Sequence, residues 1–193
     1  IGQDEGSGLC REALAAGDPA HAAAWQEHAS RCRRLAHEPP TTFHDALQLM
    51  FFCMIALWYG ENHHLTCPGR MDQTLWPFYE ADTATGRLTP RQALELISAL
   101  YIQCNRLLWP GSAIAVMVGG RNVRGEDVTN DLTYLCLAAR VATRMVYPTV
   151  AVAWHRDTPP ALLDYGCRML ATGIADPAFF NDDLIADGLA QHG

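Results

Sequence analysis

The chain has 193 residues, of which 49% are hydrophobic and 18% charged, and its formal net charge is −7. This composition is typical of a globular protein of one-domain size and excludes the disordered class. All 14 basic residues are arginine and they are scattered, apart from Arg31, Arg33 and Arg34. A protein that binds nucleic acid or an anionic membrane carries clustered positive charge on its own surface. We therefore expect neither partner and favour a small-molecule substrate.

The cysteines indicate a reducing environment. There are seven of them, none in a C-x-x-C pair. Because Cys53, Cys104 and Cys136 fall inside apolar helical patterns, we expect buried, reduced thiols and a cytoplasmic protein. The first residue is Ile1 and no signal peptide follows it, which favours a trimmed N-terminus.

Residues 1–39 are expected to form an N-terminal helical segment. Gly17-Asp18-Pro19 predicts a break followed by a new helix start, and a helix is expected over 21–35. Pro39-Pro40 closes this region, so a second domain is expected over 40–193.

The first helix of that domain is unusually apolar. Thr42 and Asp45 form a capping-box pattern, and ALQLMFFCMIALWY then runs from 46 to 59 with one clearly polar residue. Fourteen residues are too few to span a bilayer, so a buried helix is predicted. A helix that is apolar on every face needs neighbours on every side. We therefore expect the chain to be part of a larger protein.

The later elements alternate between helices and strands. Thr89-Pro90-Arg91-Gln92 predicts a helix start, and apolar runs predict strands over 113–118 and 149–155. A helix capped by Asp127 or Thr129 and extending to about Met145 is expected between the strands. Two more helices are expected, one from 157 to 173 and one capped by Asn181. Since a strand-helix-strand unit implies a parallel pair, the predicted fold class is α/β.

The connection from 60 to 80 concentrates chemical groups in one loop. His63, His64 and Cys67 could offer imidazole and thiolate to zinc, or His64 and Cys67 could serve as base and nucleophile. Arg70 could bind a substrate carboxylate, or it could hold the loop through an aspartate or a backbone carbonyl. Gly119-Gly120 lacks phosphate-loop spacing and predicts a tight turn.

Five stretches together resemble the glycyl radical enzymes, the family of pyruvate formate-lyase and related dehydratases and lyases. They cover about residues 40–193 in the family's order: TFHDALQLMFF, PGRMDQTLWPFYEADTATGRLT, VGGRNVRGEDVTNDLTYLCLAA, TVAVAWHRDTPPALL and GIADPAFFNDDLI. The resemblance implies a ten-stranded α/β barrel made of two five-stranded halves. This chain would supply first-half strands and outer helices.

The same resemblance implies how the whole enzyme works. A radical-SAM activating enzyme installs a glycyl radical, which takes a hydrogen atom from a cysteine whose thiyl radical then attacks the substrate. In the family both residues lie downstream of this stretch, so no catalytic residue, metal or bound cofactor is assigned to this chain. The full-length protein is expected to be a homodimer.

Three residues are expected to bind substrate by this resemblance. His64 matches a pocket histidine and would donate or accept a hydrogen bond. Leu65 replaces the usual serine, and Met71 stands where phenylalanine is common. Loss of the serine hydroxyl suggests a less polar pocket than one for glycerol or hydroxyproline.

We therefore expect a fragment of a glycyl radical lyase or dehydratase that cleaves a C–C or C–heteroatom bond and is inactive by itself. One alternative is a non-catalytic remnant with a binding or scaffold role. A second is a metal-dependent hydrolase that uses His63, His64 and Cys67.

Overall fold

The computed structural model describes residues 9, 11–12, 14–61, 65–107 and 113–192. The chain divides into two compact units, 1–41 and 42–193. The first unit contains helix α1 (Pro19–Leu35), which begins where the Gly-Asp-Pro break predicts a start. The Asp18 side chain accepts a hydrogen bond from the His21 backbone N–H at 3.0 Å and so caps the helix.

The second unit consists of seven α-helices, one 3-10 helix and four strands among the described residues. In chain order they are α2 (Phe43–Gly60), β1 (Leu65–Arg70), α3 (Met71–Thr74), α4 (Trp76–Ala84), α5 (Pro90–Cys104), the 3-10 helix (Asn105–Leu107), β2 (Ala113–Gly119), α6 (Asp131–Thr143), β3 (Thr149–Trp154), α7 (Pro160–Ala171), β4 (Ala178–Asn181) and α8 (Asp182–His192).

The four strands form one parallel sheet in the order β1-β2-β3-β4. Two of them confirm the predicted β2-α6-β3 unit and its parallel pairing. Strands β1 and β4 were not predicted. Pro68 and Gly69 break the apolar pattern of β1, and the register of β1 against β2 shifts between Thr66 and Gly69. Strand β4 has four residues, too few to show a period.

One face of the sheet carries the hydrophobic core. Ile114, Val116 and Val118 alternate along β2 and are at most 1% exposed, as are Val150 and Val152 of β3. They belong to a single buried cluster with side chains of the surrounding helices, including Met71, Leu75, Ile97, Tyr101, Cys136 and Leu137. The helices therefore cover this face and fix the direction in which each strand residue points.

Helix α2 is buried on one face only. Phe43, Leu47, Met54 and Trp58 pack into the core, whereas Leu57 and Tyr59 are 45% and 71% exposed. The expectation that Cys53 is buried is wrong, because it lies on the exposed side of the helix. Cys104 and Cys136 are buried as predicted. Among the helices that the structure describes, none combines the length and the apolar character that a bilayer crossing requires.

Local capping signals set most helix starts. The capping boxes of Thr42 with Asp45 and of Thr89 with Gln92 are both formed. Helix α6 differs from its prediction, since Asn130 caps it in place of Asp127 or Thr129. The Asp127 carboxylate is occupied by the N–H and hydroxyl groups of Thr129, at 3.1 and 3.0 Å. The helix ends at Thr143 because Arg144 adopts a left-handed conformation, with φ of 48°.

We expect a small side chain at Gly166 of α7 to disturb its packing on β4. A Cβ atom there would lie 2.7 Å from Phe179 Cζ and 3.2 Å from Pro177 Cγ. Gly188 of α8 has no atom within 4 Å of the same position and is the matched control. Both alanine variants gain about 1 kcal/mol of helix propensity, but Gly166→Ala also incurs about 1–3 kcal/mol of overpacking. Urea unfolding should therefore show Gly166→Ala to be less stable than Gly188→Ala, and equal stabilities would contradict this packing.

Candidate functional site

The sheet face opposite the helices is the first part of the candidate site. We call it the open face and define it by Leu65, Ala113, Ala115, Met117, Ala151 and Phe180. The register supports this assignment, since Leu65 pairs with Ala113, and Met117 pairs with Ala151. Residues in register on neighbouring strands point to the same side of a sheet.

The open face is mostly apolar, with the exposed Thr149 beside Ala115 as its polar residue on β3, and it has small residues at its centre. Ala113, Ala115, Met117 and Ala151 are half-buried. Towards the edges of the sheet, Leu65 and Phe180 are 58% and 43% exposed. Small central side chains leave space above the sheet, and large exposed apolar side chains often mark a surface that contacts something else. This face is thus suited to line an apolar cavity.

The structure describes two of the three residues that the family resemblance implies for substrate binding, and it separates them. Leu65 lies on the open face, in register with Ala113. Met71 follows β1 and is fully buried in the core with Ile114 and Val116, on the opposite side of the sheet. His64 lies outside the described residues, as does His63. Met71 can therefore influence the open face through core packing and not by direct contact.

The second part of the site lies where the parallel strands end. We call it the strand-end clamp and define it as Arg70 at the end of β1, Asp72 and Gln73 just after it, and the groups they bind around β2 and α6. The Arg70 guanidinium donates to the carbonyl of Arg121 at 2.8 Å and also to the carbonyl of Gly119. Of the two interpretations of Arg70, the structure thus shows the one in which it holds backbone.

Asp72 is the buried centre of the clamp. Its Oδ2 atom accepts the Gly119 backbone N–H at 2.8 Å and the Thr133 hydroxyl at 2.6 Å. The residue is fully buried, and burial raises the pKa of Asp72 although the Gly119 and Thr133 hydrogen bonds act in the opposite direction. One carboxylate oxygen therefore connects the end of β1 to the end of β2 and to the first turn of α6.

Backbone conformation and the close approach of neighbouring groups explain the glycine pair at the end of β2. Gly119 and Gly120 have φ of 73° and 83°, a region that favours glycine. A Cβ atom on Gly120 would also lie 2.5 Å from Asp182 Oδ2 and 2.9 Å from the Arg70 guanidinium. The chain turns at residues 122–125, where the Gly125 N–H donates to the Asn122 carbonyl at 3.0 Å, and not at the glycine pair as predicted. Gln73 extends the contact by donating to the Val128 carbonyl at 2.8 Å.

Charged residues after β2, β3 and β4 form a second layer around the clamp. Arg121 forms an ion pair with Asp183 at 2.8 Å, and the Arg156 backbone N–H donates to the same carboxylate at 3.0 Å. The Arg156 N–H, followed by the charges of Arg121 and Arg156, lowers the pKa of Asp183. The loops after three different strands are therefore joined through one carboxylate.

This layer also contains a buried histidine that the sequence did not indicate as a site residue. His155 is 2% exposed, and its Nε2 lies 3.1 Å from Asp127 Oδ1. The Asp157 backbone N–H donates to Nδ1 at 3.3 Å, which places the proton on Nε2 and makes Asp127 its acceptor. The two residues are 28 positions apart, and no local motif connects them. Their contact joins the end of β3 to the loop after β2.

These polar groups bind mainly one another, so the strand ends provide rigidity and not an exposed nucleophile. Cys67 is exposed in β1. Within the described ranges, which omit His63 and His64, no three His, Cys, Asp or Glu side chains converge as metal ligands. The zinc hypothesis stays untested because two of its three members are those histidines.

Comparisons with known proteins identify the family. The sequence model of the family described as "Pyruvate formate lyase-like" matches residues 5–193. The chain is 34% identical over 178 residues to the (2S)-3-sulfopropanediol dehydratase of Klebsiella oxytoca, covering 86% of this chain and 22% of that enzyme.

Solved structures agree with this match. A structure from a study of 1,2-propanediol dehydration in Roseburia inulinivorans superimposes with a TM-score of 0.92 and 27% identity, over 100% of this chain and 26% of that one. A glycyl radical enzyme from Archaeoglobus fulgidus gives a TM-score of 0.84 and 29% identity, over 94% of this chain and 25% of that one. This chain thus spans about a quarter of the length of these relatives.

The chain belongs to the pyruvate formate lyase-like family of glycyl radical enzymes. The predicted resemblance and the predicted α/β fold class are both confirmed.

We expect Asp72 to stabilise the fold mainly by accepting hydrogen bonds and less by its negative charge. Asp72→Ala would leave the Gly119 N–H and the Thr133 hydroxyl buried without their acceptor, at a cost of roughly 2–5 kcal/mol. Asp72→Asn keeps an acceptor oxygen and removes a buried charge, so its cost should be less than half as large. Urea unfolding of both variants checks this, with Thr133→Val as the control for one lost bond. An asparagine variant as unstable as the alanine variant would show that the charge is essential.

Proposed function

We propose that this chain forms part of the first half of the barrel of a glycyl radical dehydratase or lyase. The match over its full length to one segment of a much longer dehydratase fold carries this proposal. A four-stranded parallel sheet covered by helices on one face also fits a segment of a ten-stranded α/β barrel. The open face of the sheet would then face the barrel interior, where the family places its substrate.

The pocket wall in this proposal consists of the open face together with His64. Leu65 is the exposed apolar contact at its β1 edge. His64 is its proposed hydrogen-bonding neighbour. Met71 supports the wall from within the core. Ala115 and Met117, which the sequence comparison did not indicate, join the wall because they share a face with Leu65.

The family's chemistry explains why such a wall would be apolar. In these enzymes a glycyl radical, installed by a radical-SAM activating enzyme, supplies hydrogen-atom abstraction through a cysteine. Reactive intermediates are protected when water is kept out of the site. An apolar face held rigid by the strand-end clamp would contribute that exclusion. The substrate would be a small molecule, and the full-length protein would act as a cytoplasmic homodimer.

The first test uses the purified chain of residues 1–193. Incubated anaerobically with a radical-SAM activating enzyme of this family, it should give no glycyl radical signal by electron paramagnetic resonance and no turnover. The reason is that neither radical residue is assigned to this stretch. Turnover of any dehydratase substrate by this chain alone would contradict the proposal. Determining the coding sequence that follows Gly193 distinguishes the enzyme fragment from the non-catalytic remnant. A stop codon there would favour the remnant.

The second test asks whether Leu65 determines substrate preference. In a full-length glycyl radical dehydratase that carries residues 42–193 in place of its matched segment, Leu65→Ser restores a hydroxyl to the open face. We expect kcat/KM for 1,2-propanediol to rise about tenfold or more, since pockets that hydrogen-bond a substrate hydroxyl discriminate strongly.

Two controls accompany this experiment. Leu65→Ala removes the same bulk without adding a donor and should not reproduce the gain. Val123→Ser introduces the hydroxyl at a fully exposed loop position and should leave kcat/KM unchanged. An equal gain for Leu65→Ala would mean that space, and not hydrogen bonding, limits the substrate.

A further inference from the structure

A cavity lies in the helix layer, apart from the open face of the sheet. Its volume is about 270 Å³, and α4, α6 and α7 contribute most of its lining. We call it the tyrosine pocket, since three of its lining side chains are Tyr79, Tyr134 and Tyr165. Asp131, Leu135 and Ala138 of α6 complete the surface that matters for its chemistry.

The aromatic rings form a corner and not a flat stack. The ring planes of Tyr134 and Tyr165 stand at 85°, with their centroids 6.0 Å apart. Both side chains are partly exposed, so the pocket opens to solvent between them. Tyr79 is 2% exposed and lines the pocket from its buried side. Aromatic rings on several sides of a small cavity are the arrangement that binds organic cations through the ring faces.

The charge of the pocket also favours a cation. Asp131 supplies a carboxylate, and none of the described residues that line the pocket is basic. Burial, and then the charge of Asp131, raises the pKa of Tyr79. Burial, and then the charge of Asp127, raises the pKa of Tyr134. Both phenols therefore stay protonated, and the Asp131 carboxylate is the charged group among the described lining residues that would attract a positive ligand.

The number of hydrogen-bond acceptors distinguishes among cations. A primary ammonium carries three N–H donors that need acceptors. The lining side chains offer one carboxylate and the tyrosine hydroxyls, whereas most of the remaining surface is apolar. A methylated ammonium has few or no donors and gains more from ring faces. The volume is also below the roughly 300–1,000 Å³ of pockets for drug-sized ligands, which favours a small head group.

We propose that the tyrosine pocket binds a small quaternary ammonium ion. This site goes beyond the proposed dehydratase function, because it lies among the helices and shares no residue with the open face. It requires neither the radical nor the activating enzyme, so it can be tested with residues 1–193.

The experiment is a titration of the purified chain with tetramethylammonium chloride, followed by NMR of side-chain resonances at constant ionic strength. tert-Butanol serves as a neutral compound with similar methyl groups. We expect saturable binding of tetramethylammonium, with tert-butanol at least about tenfold weaker. Equal binding of the two would reveal a simple apolar groove and would overturn the proposal, as would no binding of either.

Variants locate the site. Tyr134→Leu removes one ring and should weaken tetramethylammonium binding about tenfold, whereas Tyr134→Phe keeps the ring and should stay within about threefold of the parent chain. Asp131→Asn should weaken binding and reduce its dependence on salt. Tyr59→Leu, at an exposed tyrosine outside the pocket, should have no effect.

Circular dichroism must show that each variant is folded. If Tyr134→Leu unfolds the chain, Tyr165→Leu provides the same test from the other side of the corner. Undiminished binding by a folded variant lacking either ring would place the cation elsewhere and overturn the proposal.

Discussion

The bond from the Gly119 amide to the buried Asp72 carboxylate is the contact on which the rest of this sheet depends. It joins β1 to β2 where their pairing ends, and the Thr133 hydroxyl on the same oxygen adds α6. The second layer, centred on Asp183, then joins the loops after β2 and β3 to the start of α8. These hydrogen bonds and ion pairs fix the strand ends relative to one another, whereas Asp72 Oδ1 and Arg70 Nε are buried without a hydrogen-bond partner among the described residues. The open face is consequently held as one surface, although its residues come from four separate strands.

Much of the helical structure could be predicted because its signals are local. Thr42 and Thr89 cap helices through residues three positions away, and the apolar runs of β2 and β3 need no distant information. Strand β1 could not be predicted in this way. It contains Pro68 and Gly69, and it exists because β2 lies beside it. Pairing with a segment more than forty residues away overrides a poor local propensity for strand.

Family resemblance could indicate which positions belong to the site. It could not indicate on which side of the sheet each residue lies. Leu65 and Met71 were both expected at the pocket, and the structure places them on opposite sides of the sheet. Regular strand alternation would have placed residues six positions apart on the same face, and it is the register shift between Thr66 and Gly69 that changes the alternation before Met71 begins α3. The contact between Asp127 and His155 had no sequence signal at all. Asp127 follows β2 and His155 follows β3, so the two meet only because these parallel strands place their carboxyl ends at the same edge of the sheet.

The clamp residues are distant in sequence from their partners, and this affects the chain during synthesis. Arg70 and Asp72 bind groups that follow them by 47 to 61 positions. At about 5–20 residues per second, β1 is synthesised roughly 2–10 s before the end of β2, which lies 49 positions further along the chain. During that interval β1 has no parallel neighbour and could pair with another chain. Pro68 lacks the N–H that such pairing needs. The proline that prevents β1 from being recognised as a strand in the sequence therefore also disfavours pairing with another chain until β2 is made.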